Sequence, residues 1–249
     1  MEERLLETQD MVFSLALRML GTVPDAEDAA QEIMLRAWKA LPSFRGESEL
    51  STWVYRIAVN YLLTERKSRF AERPLSFEFY GEDILHAELL DLPDEAQSAD
   101  RALLAEDLKR SCTNVLLQCL APEDRCIFVL GTMFRVKSEA AGELLGMTAE
   151  NYRQRFSRIR RKVADFLKEY CGECGNGACK CTNRLGYAVS QHRLNPGNTE
   201  YAALERQGVF QEAMEELDEL SFSYRAPGQS RQWLENLLHS PQLKTVMEE

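Results

Sequence analysis

Apolar positions recur at helical spacing along most of this chain, and no stretch of strand alternation stands out. Residues 4–20 carry Leu5, Val12, Leu15, Ala16 and Met19 on one stripe and predict a first helix closed by Gly21. Pro24 suits the first turn of a second helix. Asp25, Glu27 and Asp28 follow it, where carboxylates favour the positive end of the helix dipole. That helix runs to about Leu41 and buries Ala26, Ala30, Ile33, Met34, Ala37 and Trp38. A loop over 42–50 precedes a third helix, with Ser51 as its N-cap and a basic end near residue 69.

The pattern changes over 71–100, which hold nine acidic residues and one basic residue, with Pro74 and Pro93 as interruptions. This composition predicts a largely extended linker. Helical spacing resumes at about 99 and continues to 170, broken at Ala121-Pro122. Within it, SEAAGELLGMTAENYRQRFSRIRRK reads as helix, tight turn, helix. Ser138 caps the first of these helices, Gly146-Met147-Thr148 makes the turn, and Thr148 caps the second. A turn at NPGN, 195–198, leads to two amphipathic segments, about 200–221 and 230–239. The expected fold is all-α. A three-helix unit (1–70) and a helix-turn-helix unit (99–170) are joined by an acidic linker (71–98). A cysteine-rich extension with two amphipathic helices follows (171–249).

Charge sharpens the picture. The chain of 249 residues has a formal net charge of -10, yet YRQRFSRIRRK, 152–162, gathers six basic residues and no acidic one. Net negative charge disfavours diffuse nucleic-acid binding, so any binding is local. In helix-turn-helix proteins the second helix enters the major groove. Glu150, Asn151, Arg153, Gln154, Ser157, Arg158 and Arg161 face outward as candidate DNA contacts, while Tyr152, Phe156 and Ile159 anchor the helix. Arg and Gln read purine edges through paired hydrogen bonds, and other cations hold phosphates. A solvated basic face is the plain alternative; the turn, caps and anchors together favour the DNA reading. No apolar run approaches the roughly 20 residues a membrane helix needs. The N-terminus does not resemble a signal peptide, so a cytoplasmic location without membrane insertion is expected. No Ser/His/Asp set, phosphate-cradling glycine loop or catalytic metal pattern appears, so an enzyme is not expected.

DAEDAAQEIMLRAWKALPSFRGESELSTWVYRIAVNYLLTERKSR, 25–69, closely resembles region 2 of bacterial extracytoplasmic-function sigma factors, and 120–167 resembles region 4 of the same group. The resemblance spans 5–170, roughly two thirds of the chain. It implies core RNA polymerase, double-stranded promoter DNA and an opened -10 strand as partners, with anti-sigma factors as further candidates. Asp28, Gln31 and Glu32 would grip core polymerase, although a helix that merely begins with acids reads the same way. Phe44 and Arg45, beside Gly46, would capture a flipped -10 base. Trp53, Arg56 and Asn60 share one helix face and would contact the opened strand, with Trp53 equally suited to the core. Arg66, Lys67 and Arg69 would meet upstream phosphates, and the helix from 149 would read the -35 element. Larger residues are more usual in this family at Ala141-Gly142, and smaller anchors than Tyr152 and Phe156. Two rival readings are a helix-turn-helix regulator that acts without core polymerase and a metal or redox sensor on a sigma frame.

The seven cysteines fall into two groups. Cys112, Cys119 and Cys126 recur every seven residues among apolar neighbours and are expected to be small buried hydrophobes. Cys171, Cys174, Cys179 and Cys181 form C-x2-C-x4-C-x-C, with glycines between that permit a tight fold. Four thiolates suit tetrahedral Zn²⁺, with His192 as a supplementary ligand and soft Cu(I) as another ion. A redox switch and incidental packing are the other readings.

Overall fold

The computed structural model describes residues 1–65, 75–86, 89–94, 97, 99–204, 206–207 and 223–238. It is helical apart from one two-residue strand pair among them. The expected first helix is two: α1 (Glu2–Leu6) and α2 (Gln9–Leu20). The break falls at Thr8, whose hydroxyl donates to the Leu5 carbonyl at 2.7 Å and competes with helix continuation. Gly21 closes α2 in the left-handed region at φ 88°. In α3 (Val23–Ala40) Thr22 is the N-cap and accepts from the Asp25 amide, and the predicted apolar stripe is buried. Helix α4 (Leu50–Asn60) starts one residue before the expected cap; Glu49, not Ser51, occupies the N-cap. A π-helical turn, Tyr61–Glu65, continues α4.

The acidic linker is not extended throughout. Helix α5 (Phe77–His86) lies in it. Phe77, Tyr80, Gly81 and Ile84 follow i, i+3, i+4, i+7, an apolar stripe that the carboxylates around it obscure in the sequence. That stripe packs on the end of α9 (Ala149–Tyr170): the Phe77 and Phe166 rings meet at 5.3 Å, and Tyr80 stacks on Phe166 at 5.8 Å.

Helices α6 (Arg101–Leu117), α7 (Pro122–Thr132), α8 (Ser138–Leu144) and α9 build the second unit. Its core is continuous with that of α2–α4. Two buried arginines stitch the units. Arg18 of α2, with no exposed surface, donates to Asn114 Oδ1 of α6 at 2.9 Å. Arg125 of α7 donates to the carbonyls of Leu117, Leu120 and Met19. The last of these lies at the C-terminal end of α2, where the helix dipole favours a cation. Burial lowers the Arg125 pKa to about 10, which still leaves it charged at neutral pH.

After α9 come a 3-10 turn (Cys181–Arg184) and α10 (Leu185–Ser190). The NPGN turn forms as expected, with the Asn198 amide donating to the Asn195 carbonyl. The predicted helix over 200–221 is corrected in its described part. Residues 201–204 form a turn, and β1 (Arg206–Gln207) pairs antiparallel with β2 (Ser223–Tyr224). Residues 208–222 lie outside the described residues. Helix α11 (Gly228–Leu238) matches the last predicted segment and packs on α1 and α3.

Candidate nucleic-acid interface

The turn between α8 and α9 is built for close approach. Gly146 sits at φ 66°, in the left-handed region. A Cβ on Gly142 would stand 2.7 Å from the Met147 carbonyl, so the small residue in α8 is required by the turn that follows. Ser138 begins α8 but does not cap it; Lys137 occupies the N-cap without a side-chain bond. Thr148 does cap α9, accepting from the Asn151 amide at 3.2 Å. The large anchors have a matching space. Tyr152 is 1% exposed and donates to the Ile127 carbonyl at 3.1 Å. Phe156 stacks on it and fills the room left by Gly131 of α7, where a Cβ would be 2.6 Å from the ring.

This packing turns Glu150, Asn151, Arg153, Gln154, Ser157, Arg158 and Arg161 to solvent, as expected. Glu150 accepts from Arg153 at 2.7 Å and from Gln154 at 2.8 Å, which orders the two side chains best suited to base edges. Those two hydrogen bonds, Arg153 first, hold the Glu150 carboxyl below its ordinary range. Arg153 also reaches Glu139 of α8 at 3.5 Å. Arg155 instead pairs with Glu123 and Asp124 and fastens α9 to α7.

The second candidate surface is on α4. Trp53, Arg56 and Asn60 share a face, and the loop before α4 brings Phe44 to 5.2 Å from the Trp53 ring. Phe44 and Trp53 are half-buried, while Arg45, Arg56 and Asn60 are exposed. Arg56 is not idle: its guanidinium meets Glu143 of α8 at 2.7 Å. Beside it Tyr55 packs edge-on against Phe134 at 5.3 Å. Arg66, Lys67 and Arg69 lie outside the described residues. On α3, Asp28 is exposed, and Gln31 and Glu32 are half-buried. Glu32 accepts from Arg36 at 2.7 Å in the middle of the helix, beyond the reach of the N-terminal dipole.

The model of sigma-70 region 2 matches residues 5–70, which contain α2, α3, α4 and the loop between the last two. The ECF RNA polymerase sigma factor SigG of Mycobacterium tuberculosis is 31% identical over 170 residues, covering 60% of this chain and 46% of its own. The chain thus spans about half the length of that relative. The ECF RNA polymerase sigma factor SigW of Bacillus subtilis is 28% identical over 161 residues, covering 65% of this chain and 85% of its own. A Bartonella quintana sigma factor, RpoE, solved in complex with the anti-sigma factor NepR, aligns over 67% of this chain with 20% identity and a TM-score of 0.44. The chain is a relative of extracytoplasmic-function sigma factors.

Beyond region 2 and the helix-turn-helix, the cysteine segment folds tightly on the end of α9. Cys171 and Cys179 form a backbone bridge. A Cβ on Gly177 would fall 2.0 Å from the Tyr170 carbonyl carbon, so this turn accepts only glycine there. The Cys174 thiol donates to Cys171 and, with the Glu173 and Cys174 amides, holds its pKa down to about 6 against the effect of burial. Among the described residues, no three His, Cys, Asp or Glu side chains stand close enough together to hold a metal ion. His192, the supplementary ligand expected from the sequence, lines a cleft of about 630 Å³ between α5, α6 and the extension.

Cys112 departs from its expected role as a core hydrophobe. It is half-buried, lines that cleft with Cys179 and Cys181, and its sulfur is 2.9 Å from the Tyr80 hydroxyl. Cys126 is buried in the core and Cys119 packs against it, as expected; α6 ends at Leu117 and α7 begins at Pro122, so the three share no stripe and only Cys112 turns to the cleft. Arg18 and Arg125 carried no motif. A cation set inside an apolar helical stripe is the signal that could have singled them out.

Proposed function

We propose that this chain is an extracytoplasmic-function sigma factor: it binds core RNA polymerase and directs initiation at promoters with -35 and -10 elements. Pairing of two different DNA-facing surfaces in one chain carries the reading. The α9 row offers donors to duplex base edges. The Phe44–Trp53 pair with Arg56 and Asn60 offers an aromatic and a cation to an opened strand. A duplex-only regulator needs the first surface and not the second. Asp28, Gln31 and Glu32 present a polar row on α3 suited to a basic helix of core polymerase. The chain would work where polymerase is, in the cytoplasm; among the described residues no helix is long and apolar enough to cross a membrane. Run-off transcription with purified core polymerase tests the reading. Specific transcripts are expected only when the chain is present, and promoter-DNA binding that persists without core, with no transcripts in its presence, would sink it.

For the cysteine segment we infer a thiolate metal site for zinc, with Cys171, Cys174, Cys179 and Cys181 as ligands. The four-thiol spacing and the glycine-tight turn support it. The side chains would swing inward to close on the ion. About one zinc per chain is expected, lost when Cys174 and Cys179 become Ser; metal-free protein as purified under reducing conditions would remove the claim.

A further inference from the structure

The two promoter elements are about 25 base pairs apart by their own numbering, about 85 Å of duplex at ~3.4 Å per pair. Here the two surfaces assigned to them touch. Arg56 of α4 meets Glu143 of the helix-turn-helix unit at 2.7 Å, and Tyr55 packs on Phe134. A chain in this arrangement cannot engage both elements, so on the sigma-factor reading the two units must separate before a promoter is read. What holds them together therefore controls the activity.

The C-terminal extension adds to these direct ties, because it is bonded to both units at once. Its 201–204 turn sits in the notch between them. The Tyr201 hydroxyl donates to the Gly21 carbonyl at 2.6 Å, on the region 2 side. On the α6 side, Arg110 Nη1 donates to the carbonyls of Tyr201 at 2.8 Å, Ala202 at 3.2 Å and Leu204 at 2.9 Å. Asp107 of α6 accepts from the Ala202 amide at 2.8 Å. One turn of four residues is thus clamped by a cation and a carboxylate from one unit and by a helix end from the other.

Further along, the extension is bolted into region 2. Ser14 of α2 donates to the Tyr224 carbonyl and accepts from the Tyr224 amide, both at 2.7 Å. The Tyr224 ring is 1% exposed and lies under the Arg18 guanidinium, the same cation that ties α2 to α6. The Ala226 amide donates to Asp10, and Ser230 to Glu27 of α3, each at 2.8 Å. At its other end, Arg184 and Arg193 hold Asp83 of α5 at 3.2 and 2.6 Å. The extension runs from the linker, across α6, onto α2 and α3.

We propose that residues 201–204 and 223–230 are an intramolecular latch: they occupy a surface built by α2, α3 and α6 and hold the two promoter-reading units shut. Opening the chain breaks the Tyr201–Gly21 hydrogen bond, while the Arg110–carbonyl fan and the Ser14–Tyr224 clip hold the two ends of the extension in place on either side of it. A signal acting on the extension would therefore reach both DNA-facing surfaces without touching either.

The test uses the full chain with fluorophores at Lys39 and Lys137, exposed positions on the two units that belong to neither DNA surface. Arg110→Ala and Ser14→Ala are compared with wild type. Tyr201→Phe, which removes a single hydroxyl, guards against a folding defect, and thermal unfolding checks each protein. Energy transfer should fall in Arg110→Ala and Ser14→Ala. Promoter affinity of the polymerase complex should rise by about tenfold, with a smaller rise for Tyr201→Phe. Unchanged transfer in all three overturns the latch. A fall in transfer with no gain in promoter affinity overturns its inhibitory role. Failure of wild-type protein to yield transcripts with core would instead count against the sigma-factor reading, leaving the transfer measurement to judge the latch alone.

Discussion

The two helices proposed to face DNA differ in how they are held ready. On α9 the polar row is open to solvent, backed by the buried Tyr152 and ordered from within by Glu150. On α4 the corresponding face is backed by a half-buried Trp53, and its cation is taken up by the other unit through Glu143. A duplex reader can be rigid and exposed because its target is preformed. A reader of an opened strand meets its target only after polymerase binds, and an uncovered aromatic and arginine would meanwhile attract other nucleic acid. That difference teaches that availability, and not residue type alone, separates the two surfaces.

The largest expected effect tests the backing. Tyr152→Ala removes a buried ring together with its hydrogen bond to the Ile127 carbonyl, so a stability loss of about 3–5 kcal/mol is expected in urea unfolding. Trp53→Ala should cost clearly less stability, since its ring is half-exposed, but should weaken binding of a single-stranded -10 oligonucleotide by about 1–3 kcal/mol, the usual worth of one base–aromatic stack. Equal stability losses would erase the distinction between a structural anchor and a stacking platform.

Next in size are the side chains that α9 presents. Arg153→Ala and Gln154→Ala should relax -35 sequence preference, by about 1–3 kcal/mol for each bidentate pair of hydrogen bonds removed from a base. Arg161→Ala should weaken binding evenly across sequences and flatten the salt dependence, as expected of a phosphate contact. A promoter-variant panel at several salt concentrations separates these. Uniform losses for all three variants would mean that α9 holds the backbone and reads no bases.

Helices α3 and α9 were legible in the sequence for local reasons. Thr22, Pro24 and the stripe from Ala26 to Trp38 state one helix in three independent ways, and Thr148 with Gly146 does the same for α9. Helix α5 was hidden because acidic residues dominate its composition while its apolar stripe has a partner, Phe166, that is remote in sequence. For the Arg18–Asn114 and Arg125–Met19 ties, a cation inside an apolar stripe marks each arginine, but its partner depends on which helix packs opposite and has no local signature. The clamp at 201–204 is set mainly by backbone carbonyls, which every sequence supplies, so nothing in the sequence marks Arg110 as their partner. Of the candidate surfaces, residue type and helical face were readable; the engagement of Arg56 by Glu143 was not.

The smallest expected effect bears on that engagement directly. Glu143 and Arg56 have side chains 72% and 48% exposed, so their ion pair is solvent-screened despite its 2.7 Å separation. Exposed pairs of this kind contribute about 0.2–1 kcal/mol. Glu143→Gln removes the charge with little change of shape and leaves Tyr55 packed on Phe134. Affinity for a single-stranded -10 oligonucleotide should then rise by about 1.5- to fivefold at low salt. Salt weakens oligonucleotide binding in both proteins, so the informative quantity is the ratio of the two affinities. That ratio should fall toward one as ionic strength nears about 1 M, where the screening length is about 3 Å. A ratio of one at every salt concentration would mean that ring packing, and not the ion pair, keeps the α4 face engaged, and Phe134→Ala would then be the substitution that frees it.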